Sequence, residues 1–183
     1  MNYIIKMKTV KAKNYESVRF FNIIFETEKS DVLRFDVLYR EGGIYLDVDV
    51  LLNKPLDPLL KYEMFVGFEG EKCINPGLIM GAVAGEKHLK DLLDSYDNFQ
   101  FVKENGEFNK MTICDVTTNY LKDKGLKISN KMQNIDGVQV FPSEYFCPYN
   151  PNTSKFNKTN NTFATHLYLA SWYTKKQKLK NTI

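Results

Sequence analysis

The chain has 183 residues and a formal net charge of +3, from 25 basic and 22 acidic side chains. Its 43% hydrophobic and 14% aromatic content excludes a disordered chain, and so mild a charge balance makes no case for nucleic acid as a partner. No run reaches the roughly 18 to 20 apolar residues of a membrane span, and the apolar cluster in MNYIIKMKTVKAK is too short for a signal-peptide core. The length suits one domain, residues 1–183, with a sizeable core. Cys73, Cys114 and Cys147 are an odd number without paired spacing, which reads as free thiols in a reducing compartment with no metal-binding cysteine pattern.

In chain order, residues 2–7 read as a short strand. Residues 14–27 read as a helix, with Val18, Phe21, Ile24 and Phe25 near one face. A second helix starts at Ser30, a good N-cap, and ends at Gly42-Gly43. The run IYLDVDVLL follows as a strand, closed off by Pro55 and Pro58. FVGFEG and PGLIMGAVA read as further strands, and GEKHLKDLLDSYDNF as an amphipathic helix carrying a structural His88. A helix over 112–124 has Thr112 as its cap, Asp115 three residues on, and Gly125 as its stop. From Ile135 the texture turns β-like, in VQVFP and TFATHLYLASW, around an Asn/Pro/Ser/Thr-rich loop at 149–162 holding three N-x-S/T sequons. Strands alternating with helices predict an α/β sheet with an irregular C-terminal portion.

The chemistry concentrates in REGGIYLDVDVLLNKPLD, Arg40 to Asp57. If this run is one strand, Ile44, Leu46, Val48 and Val50 face a core, while Tyr45, Asp47 and Asp49 face the other way. Two carboxylates on one face repel each other and are costly to bury. The flanking glycines and prolines put the pair near a strand end, where ligands of open α/β sheets bind. A divalent cation relieves the repulsion, and hard oxygen ligands suit Mg²⁺ or Mn²⁺ with places left for phosphate oxygens. The alternative is two solvated acids at an edge strand, since a bare D-x-D is a weak motif.

The surrounding text extends the motif. SDVLRFDVLYREGGIYLDVDV, with Ser30, Asp31, Arg34, Leu38, Tyr39, Gly42, Gly43, Tyr45, Leu46, Asp47 and Asp49, resembles the sugar-binding region of glycosyltransferase family 32. That group includes bacterial capsular-polysaccharide and yeast mannosyl transferases, and the glucosylating domains of large clostridial toxins share the segment. FVGFEGEKCINPGLIMGAVAG, FPSEYFCP and the late His166 to Trp172 stretch also look like family landmarks, so the resemblance covers about residues 14 to 180.

The resemblance implies a nucleotide-diphospho-sugar transferase (GT-A) fold, a mixed sheet flanked by helices. It implies a hexosyltransferase that retains anomeric configuration and acts in bacterial surface-polysaccharide synthesis. The donor would be a UDP- or GDP-hexose, the acceptor a glycan or lipid-linked glycan, and the cofactor Mn²⁺ or Mg²⁺. By the same resemblance Asp31 and Arg34 contact the donor sugar, Asp47 lies near ribose and metal, and Asp49 ligates the metal directly. Tyr45, Asn75, Ser171 and Trp172 would bind the nucleotide diphosphate, and His166 would complete the metal shell. For Tyr45 an ordinary strand tyrosine, for Asn75 a turn asparagine, and for His166 a satisfied core histidine remain open, because relatives often carry a His-His pair where Leu167 stands here. Family members carry an additional first βα unit before NYIIKM, so the fold is expected without it, and a non-catalytic sugar-nucleotide- or partner-binding relative stands as the alternative. A toxin-like effector is a third reading. The expected location is cytoplasmic, with Lys175, Lys176, Lys178 and Lys180 offering contact with an anionic inner membrane face or simply a solvated helix face.

Overall fold

The computed structural model describes residues 5–12, 15–23, 29–97, 106, 111–150, 153 and 155–168, with side-chain surroundings from residue 32 onward. Its elements are β1 (Ile5–Ala12), β2 (Tyr15–Ile23), α1 (Lys29–Glu41), β3 (Gly43–Tyr45), β4 (Val50–Leu52), β5 (Met64–Glu69), β6 (Cys73–Ile74) and β7 (Met80–Ala82). They continue with α2 (Lys87–Asp97), α3 (Ile113–Asp123), β8 (Gln133–Ile135), β9 (Val138–Phe141), β10 (Tyr149–Asn150), β11 (Lys155–Phe156) and β12 (Ala164–His166). The main sheet runs β1-β2-β3-β7-β5-β9-β8, with β6 paired to β5. It is mixed: β2–β3 and β5–β9 are parallel and the other pairs antiparallel. A mixed α/β architecture is therefore observed, as the alternation of elements predicts.

Period-2 alternation sorts β5 between two cores. Met64, Val66 and Phe68 join Phe35 and Leu38 of α1, Leu89 of α2 and Leu121 of α3 in one apolar cluster. Phe65 turns to the opposite face, with Ile44, Leu46, Phe141, Phe146 and Phe163. Burying each such side chain contributes about 1.5–3 kcal/mol. Helices thus cover one face, and the chain after β9 covers the other. Two small ladders, β10–β11 and β4–β12, stand apart from the main sheet, so the loop expected at 149–162 includes a short hairpin.

Two expectations are corrected. The helix expected over 14–27 is instead β2 over its described part. Apolar residues at 18, 21, 24 and 25 fit a helical face, but Val, Phe, Tyr and Ile also favour strands, and β2 finds ladders on both sides, with β1 and β3. The strand expected over 44–52 is two strands of different sheets. β3 stops at Tyr45, and a turn closed by Val50 N–H donating to the Asp47 carbonyl at 3.1 Å starts β4 in a new direction. Strict alternation therefore fails at the motif: Val48, expected in the core, is 47% exposed, and Asp49 is buried.

Candidate active site

α1 ends where the sequence says it should. Gly42 adopts φ 62°, a left-handed conformation that glycine enters without a Cβ penalty, and its amide donates to the Leu38 carbonyl at 2.8 Å. This stop turns the chain directly into β3, whose carboxyl end delivers Asp47. The Asp47 amide donates to the Gly77 carbonyl at 2.9 Å, tying the motif to the loop before β7. Across the turn, β4 pairs antiparallel with β12, His166 opposite Val50, and the Leu167 amide donates to the Asp49 carbonyl at 2.9 Å. That ladder carries His166 from the far end of the sequence to the carboxylates.

The Tyr45 hydroxyl donates to Asp47 Oδ1 at 2.8 Å. The Arg34 guanidinium lies 3.5 Å from the same oxygen and sits over the Tyr45 ring, 4.6 Å from its centroid. Arg34 is only 6% exposed. Asp47 is thus held on one side by a cation and a hydroxyl, while its Oδ2 faces His166 Nε2 at 4.0 Å. Asp49, 3% exposed, places Oδ1 3.2 Å from the same Nε2. His166 is 4% exposed, and its buried Nδ1 has no hydrogen-bond partner among the described residues. One atom from each of Asp47, Asp49 and His166 lies within 4.8 Å of the others.

This donor set fits a divalent cation. Two carboxylates and an imidazole nitrogen are ligands suited to Mn²⁺ or Mg²⁺, and a +2 ion relieves the repulsion between acids that are largely withdrawn from water. A fully satisfied core histidine has partners on both ring nitrogens, and His166 Nδ1 has none among the described residues. His88 is that kind of residue: its Nδ1 pairs with the Tyr120 hydroxyl at 2.7 Å and its Nε2 with the Asp136 carbonyl at 3.0 Å.

Asn75 turns the loop rather than reaching across the site. Its Oδ1 accepts from the Gly77 amide at 2.8 Å, and its Nδ2 donates to Glu69 Oε2 at 2.9 Å. Asp31 lies on α1 with its side chain outside the described residues, and Ser171 and Trp172 also lie outside them.

Three further residues shape the site. Gly77 leaves room for Asp47: a Cβ there would sit 2.2 Å from Asp47 Oδ2. Tyr168 packs edge-on against His166, ring centroids 4.4 Å apart, and donates its hydroxyl to Glu69 Oε1 at 2.7 Å. Burial, then the Cys147 thiol, push the Tyr168 phenol far above its ordinary pKa, so the hydroxyl stays a donor. Glu69 joins the Asn75 loop to the Tyr168 side. The sequence left Asn75 open as a turn asparagine, but nothing in it linked Glu69 to Tyr168, because the contact spans the whole second half of the fold.

Residues 1–66 match the family model described as the glycosyltransferase sugar-binding region containing a DXD motif. Over those residues the chain is similar to the sugar-binding region of the DXD-type glycosyltransferases. Its similarity to named proteins is fungal. It is 38% identical over 77 residues to inositol phosphoceramide mannosyltransferase 3 of Schizosaccharomyces pombe, covering 42% of this chain and 21% of that protein. It is 29% identical over 86 residues to mannosyl phosphorylinositol ceramide synthase SUR1 of Saccharomyces cerevisiae, covering 45% and 22%. It is 49% identical over 41 residues to glucan organizing enzyme 1 of Cryptococcus neoformans, covering 22% and 11%. The matched part of this DXD chain spans about a fifth of the length of the two mannosyl-lipid proteins. No solved structure matches it at comparable significance.

Proposed function

We propose that this chain transfers a hexosyl group from a nucleotide-sugar donor to a hydroxyl of a glycan or lipid-linked acceptor, on a GT-A-like sheet. The observation that carries the reading is the convergence of Asp47, Asp49 and His166 from β3, the following turn and β12 upon one point. Asp49 and His166 would hold Mn²⁺ or Mg²⁺ directly, with Asp47 beside them. When bound, the ion supplies Lewis-acid stabilisation for the diphosphate that leaves.

The remaining work falls to side chains. The bond between the anomeric carbon and the donor phosphate oxygen breaks, and the acceptor oxygen bonds to that carbon from the same face, which retains configuration. The acceptor proton passes to the departing phosphate oxygen. Tyr45 and Arg34 keep Asp47 from rotating, and the guanidinium places fixed positive charge where leaving-group charge grows. Asp31 would grip sugar hydroxyls, and Ser171 and Trp172 would donate to the diphosphate. Asn75 acts through the loop that positions Gly77 and Asp47. The names of the fungal relatives put mannose donors and inositol phosphoceramide first among the compounds to try. The lysines at 175, 176, 178 and 180 would favour an anionic cytoplasmic membrane face.

The deciding experiment is Asp49→Asn, assayed for transfer from a panel of UDP- and GDP-hexoses and for Mn²⁺ uptake by calorimetry. Transfer and uptake should both vanish while the circular dichroism stays native. Undiminished transfer in this variant overturns the reading.

A further inference from the structure

Cys73, Cys114 and Glu69 are scattered in sequence, yet one ligand atom of each lies within 4.8 Å of the others. They arrive from three elements. Glu69 ends β5, and Cys73 begins β6 directly opposite it in the ladder. Cys114 lies in the first turn of α3. Cys73 Sγ is 3.9 Å from Glu69 Oε2. In a tetrahedral site with Zn–S near 2.3 Å and Zn–O near 2.0 Å, ligand atoms are separated by about 3.5–3.8 Å. The observed separation is a few tenths of an ångström wider, within reach of side-chain rotation at half-buried positions.

Glu69 is also held from behind. Asn75 Nδ2 donates to Oε2 at 2.9 Å and the Tyr168 hydroxyl to Oε1 at 2.7 Å. Such outer partners are what orient a ligating carboxylate.

We infer that Glu69, Cys73 and Cys114 form a second cation site, for a thiophilic divalent metal of the zinc class. It differs in kind from the Asp47–Asp49–His166 set: two sulfur ligands select a soft cation, whereas carboxylates and imidazole accept a hard one. On binding, each thiol gives its proton to water as its sulfur bonds to the metal, with no change in oxidation state. A filled site would lock the β5–β6 turn to α3 and, through Glu69, the loop that carries Gly77. The inference stands apart from the transferase reading.

Cobalt(II) titrated into the reduced 183-residue chain, with excess magnesium to occupy the hard site, tests it. One equivalent should raise a thiolate-to-cobalt charge-transfer absorption. The band should persist in Asp49→Asn, vanish in the double variant Cys73→Ser, Cys114→Ser, and be abolished by prior zinc. In the unmutated chain, zinc should protect Cys73 and Cys114 from alkylation while leaving Cys147 labelling unchanged, a readout that needs no variant to fold. Absence of the band, its survival in the double variant, or formation of a Cys73–Cys114 disulfide at equal rates with and without zinc overturns the inference.

Discussion

Asp47 and Asp49 reach the same point by different routes. Asp47 leaves the end of β3 and is fixed by Tyr45, Arg34 and the Gly77 carbonyl. Asp49 comes around the turn and is fixed by the backbone beyond His166. The pair was legible as a candidate site, because two acids amid apolar residues demand compensation. The reason they converge was not, since strand alternation pointed to a shared face and the structure uses a turn. Gly77→Ala probes the closest approach. The new Cβ meets the Asp47 carboxylate and, at 3.0 Å, Asn75 Oδ1, both of them side-chain ends, so the side chains shift and the backbone stays. The expected result is a native fold with Mn²⁺ affinity reduced about 10- to 100-fold, read by calorimetry. Tyr45→Phe removes the hydroxyl that orients Asp47 and should cost about 10-fold in transfer, with little change in melting temperature.

At the scale of elements, α3 shows local chemistry prevailing. The Thr112 hydroxyl accepts from the Asp115 amide, and the Asp115 carboxylate accepts from the Thr112 amide at 2.8 Å. That capping box was readable because both partners lie within four residues. Thr112→Ala should cost about 1 kcal/mol in chemical denaturation. α2 is capped less conventionally: Glu86 accepts from the His88 and Leu89 amides at 2.7 and 3.1 Å. Burial raises its pKa above the ordinary glutamate value, although both amides pull it back. A raised folded-state value means the group's stabilising contribution is complete below the unfolded pKa of about 4.3 and is lost as pH rises through the folded value. The stability difference between the unmutated chain and Glu86→Gln should therefore shrink as pH climbs from about 4 toward neutrality, measured by urea unfolding at each pH. β2 shows the opposite case, where pairing with β1 and β3 prevails over a helical apolar pattern.

For the whole molecule, the site depends on closure of the C-terminal segment onto the sheet. The β4–β12 ladder brings His166 to residues more than a hundred positions earlier, so ligand and metal binding should stabilise the entire fold. At about 100 times Kd, a nucleotide sugar with Mn²⁺ adds roughly 2.7 kcal/mol, or about 5–10 °C in melting temperature. Scanning fluorimetry with each donor, with and without Mn²⁺, reads this directly. A shift with nucleotide sugar that ignores Mn²⁺ would remove the metal from the account. Among the described residues no helix is long and apolar enough to cross a membrane.

Ser30, expected as the cap of α1, lies inside a helix that starts at Lys29. The sequence by itself determined the mixed α/β class, the stop of α1, the cap and stop of α3, and the identity of the D-V-D acids with Arg34 and Tyr45. Each of these rests on spacing within a few residues, where backbone geometry alone decides which groups meet. Only the tertiary structure decided that the motif strand breaks into a turn, that the β4–β12 ladder is what carries His166 to the acids, that Gly77 makes room for Asp47, and that Cys73 and Cys114 meet at Glu69. Those contacts depend on ladder register and on which elements pack together, and free energy summed over a whole core, not any local pattern, sets both.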